Sequence, residues 1–171
     1  MMDMAFIKKR SGELTCNPFT TIGSEWFLLT AGTPEQFNMM TCSWGAMGVM
    51  WNEPSVTAYV RTSRHTFGYM EKAGIFTISV FPEEYRAALS YCGSHSGRDF
   101  DKVKETGLTP VTLDGGVGFA EAKMVLVCEK TYGQLMDAND FADSSIAGKF
   151  YGSDAMHKLY IGRILAAYVN E

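Results

Sequence analysis

No apolar run in this 171-residue chain approaches the ~20 residues that a helix needs to cross a bilayer, which argues against a helical membrane span. Positive charge is also scarce. Fifteen Lys and Arg stand against 19 Asp and Glu for a net charge of -4, too little to bind nucleic acid by phosphate neutralisation alone. The four cysteines (Cys16, Cys42, Cys92 and Cys128) lie far apart with no CxxC pair, as expected of reduced thiols. Only three histidines occur, and His65, His95 and His157 have no metal-ligand spacing to one another or to the cysteines, so no metal site is expected. There is no G-x-x-x-x-G-K-[ST] and no G-x-G-x-x-G following a strand; GGVGFAE at 115–121 reads as a turn. GSHSG at 93–97 has His95 where a hydrolase elbow has its serine, which removes nucleophilic serine chemistry. MMDMAFIKKR lacks the apolar core and cleavage site of a secretory signal, so the expected location is cytoplasmic.

What is present is an ordinary globular balance of 46% hydrophobic and 20% charged residues, read as one domain over 1–171. β-Branched and aromatic runs predict strands at 25–30, 41–47, 56–61 and 75–81, a long and bending one at 119–136, and another at 159–169. In the 56–61 strand, Thr57, Tyr59 and Arg61 share one face, and Val56, Ala58 and Val60 share the other. Helices are few and short: one at 64–72 capped by Ser63, one from Pro82 to about 93, one opened by Ser96 or Asp99 and closed at Gly107, and a single turn within 140–150. Many strands without strand–helix alternation predict a mainly β antiparallel barrel with short helices. Eleven methionines fill core gaps, or else Met39, Met40, Met47 and Met50 line an interface or cavity.

The most informative stretch is 38–66, NMMTCSWGAMGVMWNEPSVTAYVRTSRHT. Small and hydroxylated residues (Thr41, Cys42, Ser43, Gly45) let a flat heteroaromatic ring lie against backbone amides. Arg61, Ser63, Arg64 and Thr66 gather guanidiniums, hydroxyls and orphan N–H groups at a helix N-terminus, which suits a phosphate. A ring and a phosphate one strand apart are the two ends of flavin mononucleotide, FMN. The same residues would also suit a strand core with surface ion pairs. The glycine-rich loop 93–102, with Ser96, Arg98 and Lys102, either closes over such a ligand or is a solvated turn.

Four ordered blocks carry a resemblance: NMMTCSWGAMGVMWNEP, YVRTSRHT, CGSHSGRDFDKVKETGL and HKLYIGRI. Together they resemble the flavin reductase-like, FMN-binding split-barrel family, nearest its flavoredoxin-like branch. The resemblance implies a six-stranded antiparallel split β-barrel of Greek-key type, working as a homodimer. It implies that Met40, Thr41, Cys42, Ser43 and Trp44 border the isoalloxazine, with the Thr41 and Ser43 hydroxyls and main-chain amides as partners. Arg61, Ser63, Arg64 and Thr66 would hold the phosphate, Ser96, Gly97 and Lys102 would approach from the glycine-rich loop, and His157 would lie near the flavin face as a catalytic residue meeting the nicotinamide. Cys42 stands where Ala is common, and Ser63 falls where a Pro often sits; neither removes a contact.

The activity expected is that of an FMN-dependent oxidoreductase passing hydride from transiently bound NADH or NADPH to a small-molecule or protein acceptor. The alternatives are a flavoredoxin-like electron carrier served by another protein and a non-catalytic FMN-binding module.

Overall fold

The protein is described by a computed structural model covering residues 5–170. Among the described residues the strands are β1 (Ile7–Lys9), β2 (Phe27–Thr33), β3 (Gln36–Cys42), β4 (Gly45–Met50), β5 (Glu53–Arg61), β6 (Ile75–Val80), β7 (Pro110–Leu113), β8 (Gly116–Phe119), β9 (Met124–Leu135) and β10 (His157–Val169). The α-helices are α1 (Pro18–Thr20), α2 (His65–Lys72), α3 (Arg86–Ser94), α4 (Lys102–Thr106) and α5 (Ser144–Tyr151). No described helix is long and apolar enough to cross a membrane.

Every pairing is antiparallel, in the order β3-β2-β6-β9-β10-β5-β4, with β1 added beside β10 and β7-β8 forming a separate ribbon. The main sheet therefore has eight strands rather than six. It curls around a core in which Phe27, Leu29, Phe76, Ile78, Leu126 and Tyr160 are fully or almost fully buried. A second cluster, including Leu28, Met39, Leu89, Phe119 and Val125, packs α3 and β8 against the sheet. The period-2 reading of β5 holds: Val56, Ala58 and Val60 are core residues, while Thr57, Tyr59 and Arg61 are half-buried on the other face.

The strand expected over 41–47 is two strands. The ladder of β3 ends at the pair Phe27↔Cys42, and that of β4 begins at Gly45↔Ala58. β3 and β4 are the two ends of the sheet order, so Ser43 and Trp44 carry the chain across the split of the barrel. The long strand expected over 119–136 is β8, a turn and β9, and the ladder between β9 and β10 shifts register at Ile161/Gly162 and Ile164/Ala166. At Gly162 a Cβ would stand 2.4 Å from the Phe76 ring, so only glycine lets this ring fill the core at the bulge.

Helix starts differ from expectation where distant partners intervene. Arg64, not Ser63, is the N-cap of α2, because the Ser63 hydroxyl donates to Asp154 Oδ1 at 3.0 Å. Asp101, not Ser96 or Asp99, caps α4, accepting from Lys104 N at 3.1 Å, and Gly107 closes it in the left-handed conformation (φ 70°). The turn expected within 140–150 is the two-turn α5.

Candidate flavin site at the barrel split

Two clefts meet where the chain crosses the split. The first is an open hollow of about 230 Å³. Met40, Thr41, Cys42, Ser43 and Trp44 supply one wall, and Tyr59, Arg61, Arg64 and His157 supply the other. The strand register explains the second wall: β5 and β10 pair Arg61 with His157 and Tyr59 with Leu159, so the outward face of β5 lies beside the start of β10. Once the backbone leaves the ladder at Cys42, its amides and carbonyls are released from sheet pairing.

The second cleft, of about 190 Å³, lies between the N-terminus of α2 and the loop after α3. Ser63, Arg64, His65, Thr66, Ser96, Gly97, Arg98 and Lys102 line it, together with Asn38 from β3. Among the described residues no acidic side chain lines either cleft, and Arg64 is in the wall of both. The orphan N–H groups of the first turn of α2 add to this positive end.

Hydrogen bonding divides the expected site residues into those with free groups and those already engaged. The Thr41 hydroxyl donates to Leu89 O, tying β3 to α3, and so is not available as a ring donor. Ser43 makes no side-chain hydrogen bond among the described residues, and its backbone sits in the break between strands. Cys42 is buried, which pushes its thiol up to about 12, so it stays neutral. Trp44 is half-exposed, with the His157 ring 5.2 Å away and Phe150 edge-on at 5.4 Å.

At the positive end, Arg64 donates one bond to Gly93 O at 3.1 Å. The buried Thr66 hydroxyl accepts from Asn38 Nδ2 at 2.8 Å, leaving its own proton to donate. Gly97 lies so close to Asn38 that a Cβ would stand 2.1 Å from Oδ1, which pins the glycine-rich loop to β3. Lys102 is 4% exposed and donates to Met39 O at 2.8 Å and Cys92 O at 2.9 Å; burial lowers it to about 8. It is thus a strut beneath the cleft, with one N–H left over. Ser96 Oγ accepts from Arg98 N at 3.2 Å, which shapes the loop.

Arg61, expected beside the phosphate, is not in the second cleft. Its guanidinium is held by the segment between β9 and β10, donating to Ala155 O at 2.8 Å and Phe150 O at 2.9 Å. It also lies 3.4 Å from Asp154 and stacks over the Tyr151 ring at 4.9 Å. Residues 138–156 thereby form a cover at the edge of the first cleft. His157 is buried there, its Nδ1 2.6 Å from the Tyr151 hydroxyl; burial and then the charge of Arg61 lower it to about 4, against the opposing pull of Asp154. Sequence reading missed Asn38, Tyr59, Tyr151 and Asp154. The alternation of β5 could have flagged Tyr59, which shares the face of Arg61; nothing local marks the others.

The family model for the flavin reductase-like domain matches residues 19–171. The chain belongs to this family. The same fold is found in the FMN-binding domain of a flavin reductase-like enzyme from Shewanella baltica, with 17% identity, a TM-score of 0.70, and coverage of 99% of this chain and 80% of that one. A flavoredoxin of Desulfovibrio vulgaris is 22% identical with a TM-score of 0.68, covering 96% and 78%. An NADH:FAD oxidoreductase from Streptomyces globisporus is 18% identical with a TM-score of 0.61, covering 84% and 74%. Among curated proteins none matches the chain. Like these flavin reductase-like relatives, the protein is a mostly antiparallel split barrel with short helices.

Proposed function

We propose that the protein binds FMN across both clefts and acts as an oxidoreductase between NAD(P)H and an acceptor. The observation that carries this reading is Arg64 in the wall of both clefts, joining an aromatic hollow to a cationic one in a single trough without a carboxylate. The donor set fits the group. Arg64, the Thr66 hydroxyl, the N–H groups of α2 and the backbone around Ser96 and Gly97 suit a dianionic phosphate, while Met40, Cys42, Ser43 and Trp44 offer a flat, mostly uncharged wall to a ring. Charge-assisted hydrogen bonds are worth about 1.5–3 kcal/mol each, so three supply much of a micromolar affinity of about -8 kcal/mol.

FMN held there would supply the redox chemistry, hydride acceptance from a nicotinamide and electron delivery to an acceptor. This chain's residues hold and shield it. Lys102 braces β3 against α3, Arg61 holds the cover, and His157 faces the ring cleft as an uncharged group. Membership of a family whose relatives include an NADH:FAD oxidoreductase supports the nicotinamide step.

A second reading is an electron carrier, favoured by the likeness to a flavoredoxin and by the exposed tip of the β4–β5 hairpin, where Val49 is 75% and Trp51 57% exposed. We also propose a homodimer through the outward face of β5 and β10, where half-buried Tyr59, Leu159 and Ile161 lie side by side. Sedimentation should then report twice the 18.9 kDa chain mass. The four cysteines are free, in keeping with a reducing cytoplasm. The deciding experiment is an anaerobic visible spectrum of the FMN-loaded protein before and after NADH, then NADPH. Rapid bleaching by either establishes the reductase and names its donor. A flavin that bleaches only with dithionite establishes the carrier.

A further inference from the structure

The cover brings a phenol to the imidazole that lines the ring cleft. Tyr151, the last residue of α5, places its hydroxyl 2.6 Å from His157 Nδ1, the two rings meeting edge to face at 5.4 Å. His157 itself opens β10, opposite Arg61, and is wedged between Trp44 and Tyr59. The groups facing it are Tyr59 and Arg61 from β5, and Tyr151 and Asp154 from the cover.

Burial and the Arg61 charge keep the imidazole neutral throughout the physiological range, so a single ring nitrogen carries a proton. The Tyr151 phenol is raised by burial and keeps its own proton. A phenol O–H is a stronger donor than a neutral imidazole N–H, and the bare imidazole nitrogen is a stronger acceptor than a phenol oxygen, so the pair favours donation from Tyr151. Donation from Tyr151 to Nδ1 would leave the imidazole proton on Nε2. Nε2 has no hydrogen-bond partner among the described residues.

We infer that Tyr151 is a positioning residue that locks His157 in its Nε2–H tautomer, presenting a neutral donor for a carbonyl oxygen of the reacting partner in the ring cleft. The preference for a carbonyl follows from the chemistry: an uncharged N–H bonds a ketone, quinone or carboxamide oxygen without the charge that a carboxylate or phosphate would call for. The identity of that partner rests on the flavin reading above; the tautomer does not. With a nicotinamide donor, the oxygen served is that of the carboxamide.

The test is long-range ¹H–¹⁵N correlation of histidine-labelled protein at pH 7, with the His157 signals assigned by their loss in His157→Gln. The expected result is an unprotonated Nδ1 and a protonated Nε2 in the wild type. Tyr151→Phe should convert His157 to a mixture of tautomers while the His65 and His95 signals stay in place as reporters of the fold. A protonated Nδ1 in the wild type overturns the inference whether or not the variant folds, as does an unaltered His157 pattern in a folded Tyr151→Phe. Steady-state kinetics add an independent readout. Where NADH or NADPH reduces the flavin, Tyr151→Phe should raise the nicotinamide KM about tenfold with little change in kcat, the loss expected for one hydrogen bond. Absence of nicotinamide turnover in the wild type defeats the reductase reading and leaves the tautomer result to decide this one.

Discussion

The floor of the site and its cover are built by different means. The floor is ladder: β5 and β10 run side by side from Arg61↔His157 to Arg163↔Ser55, with Val56, Ala58, Val60 and Tyr160 buried beneath. The cover is mostly exposed chain, with short helices, no strand and no fully buried side chain between 138 and 156. It is attached through a few polar bonds to Arg61 and Ser63, the stacking of Tyr151, and the Phe150 edge on Trp44. A packed floor fixes the wall of the cleft, whereas a cover held by exchangeable polar bonds can detach without unfolding the barrel.

Four changes break or sharpen this contrast. The largest effect belongs to the floor: Phe76→Ala, which empties the ring space beside Gly162, should cost about 3–5 kcal/mol in denaturant unfolding. Lys102 comes next. Its folded value of about 8 lies below the usual 10.5, so between those two pH values the unfolded chain holds a proton that the folded protein has released. Stability attributable to this residue therefore rises with pH across that window, by up to the order of 3 kcal/mol, and the penalty is fully present below it. Lys102→Met should flatten the slope, measured as unfolding free energy at a series of pH values; an unchanged slope would show that the ammonium is not the group responsible.

Arg64→Ala should weaken FMN binding by one to two orders of magnitude, the loss of about 1.5–3 kcal/mol from a charge-assisted contact, read by fluorescence titration. Arg61→Ala sets the comparison. Asp154, one of its partners, is half-exposed, so the global cost should be only about 1–2 kcal/mol. Its main signature should be faster hydrogen exchange and proteolysis confined to 138–156. A larger loss of FMN affinity in Arg61→Ala than in Arg64→Ala would reverse the assignment of the two arginines.

Much of the floor was legible because it is encoded locally. The alternation at 56–61 named the buried and outward faces of β5, and the run at 75–81 gave β6 almost to the residue. The break at Ser43–Trp44 was not legible, because those residues suit a strand; only the sheet order, with β3 and β4 at opposite ends, forces the crossing. Ser63 looks like a cap from its neighbours, yet bonds Asp154 across 91 positions. Arg61 looks like a phosphate ligand beside Arg64, but strand alternation and a cover 89 to 94 residues away turn it to the other cleft. The grouping of Met40 to Trp44 was legible because it is contiguous, and that of Ser63, Thr66 and 96–102 because both ends are loops at helix starts. Tyr151 and Asn38 carry no local signal, since each matters only through its partner, His157 or Thr66.

The bond from Met136 N to His157 O, 3.0 Å, closes the neck of the cover just beyond the pair Lys158↔Leu135. Everything between those two points is, to the barrel, one long hairpin loop. Doubling such a loop costs only about 0.6 kcal/mol of closure entropy, so its length is almost free of the stability of the sheet. A chain built this way can exchange the residues that back the cleft wall, Phe150 against Trp44 and Tyr151 against His157, by insertion, deletion or grafting. The backing of the cleft wall and the integrity of the barrel then become separately heritable traits.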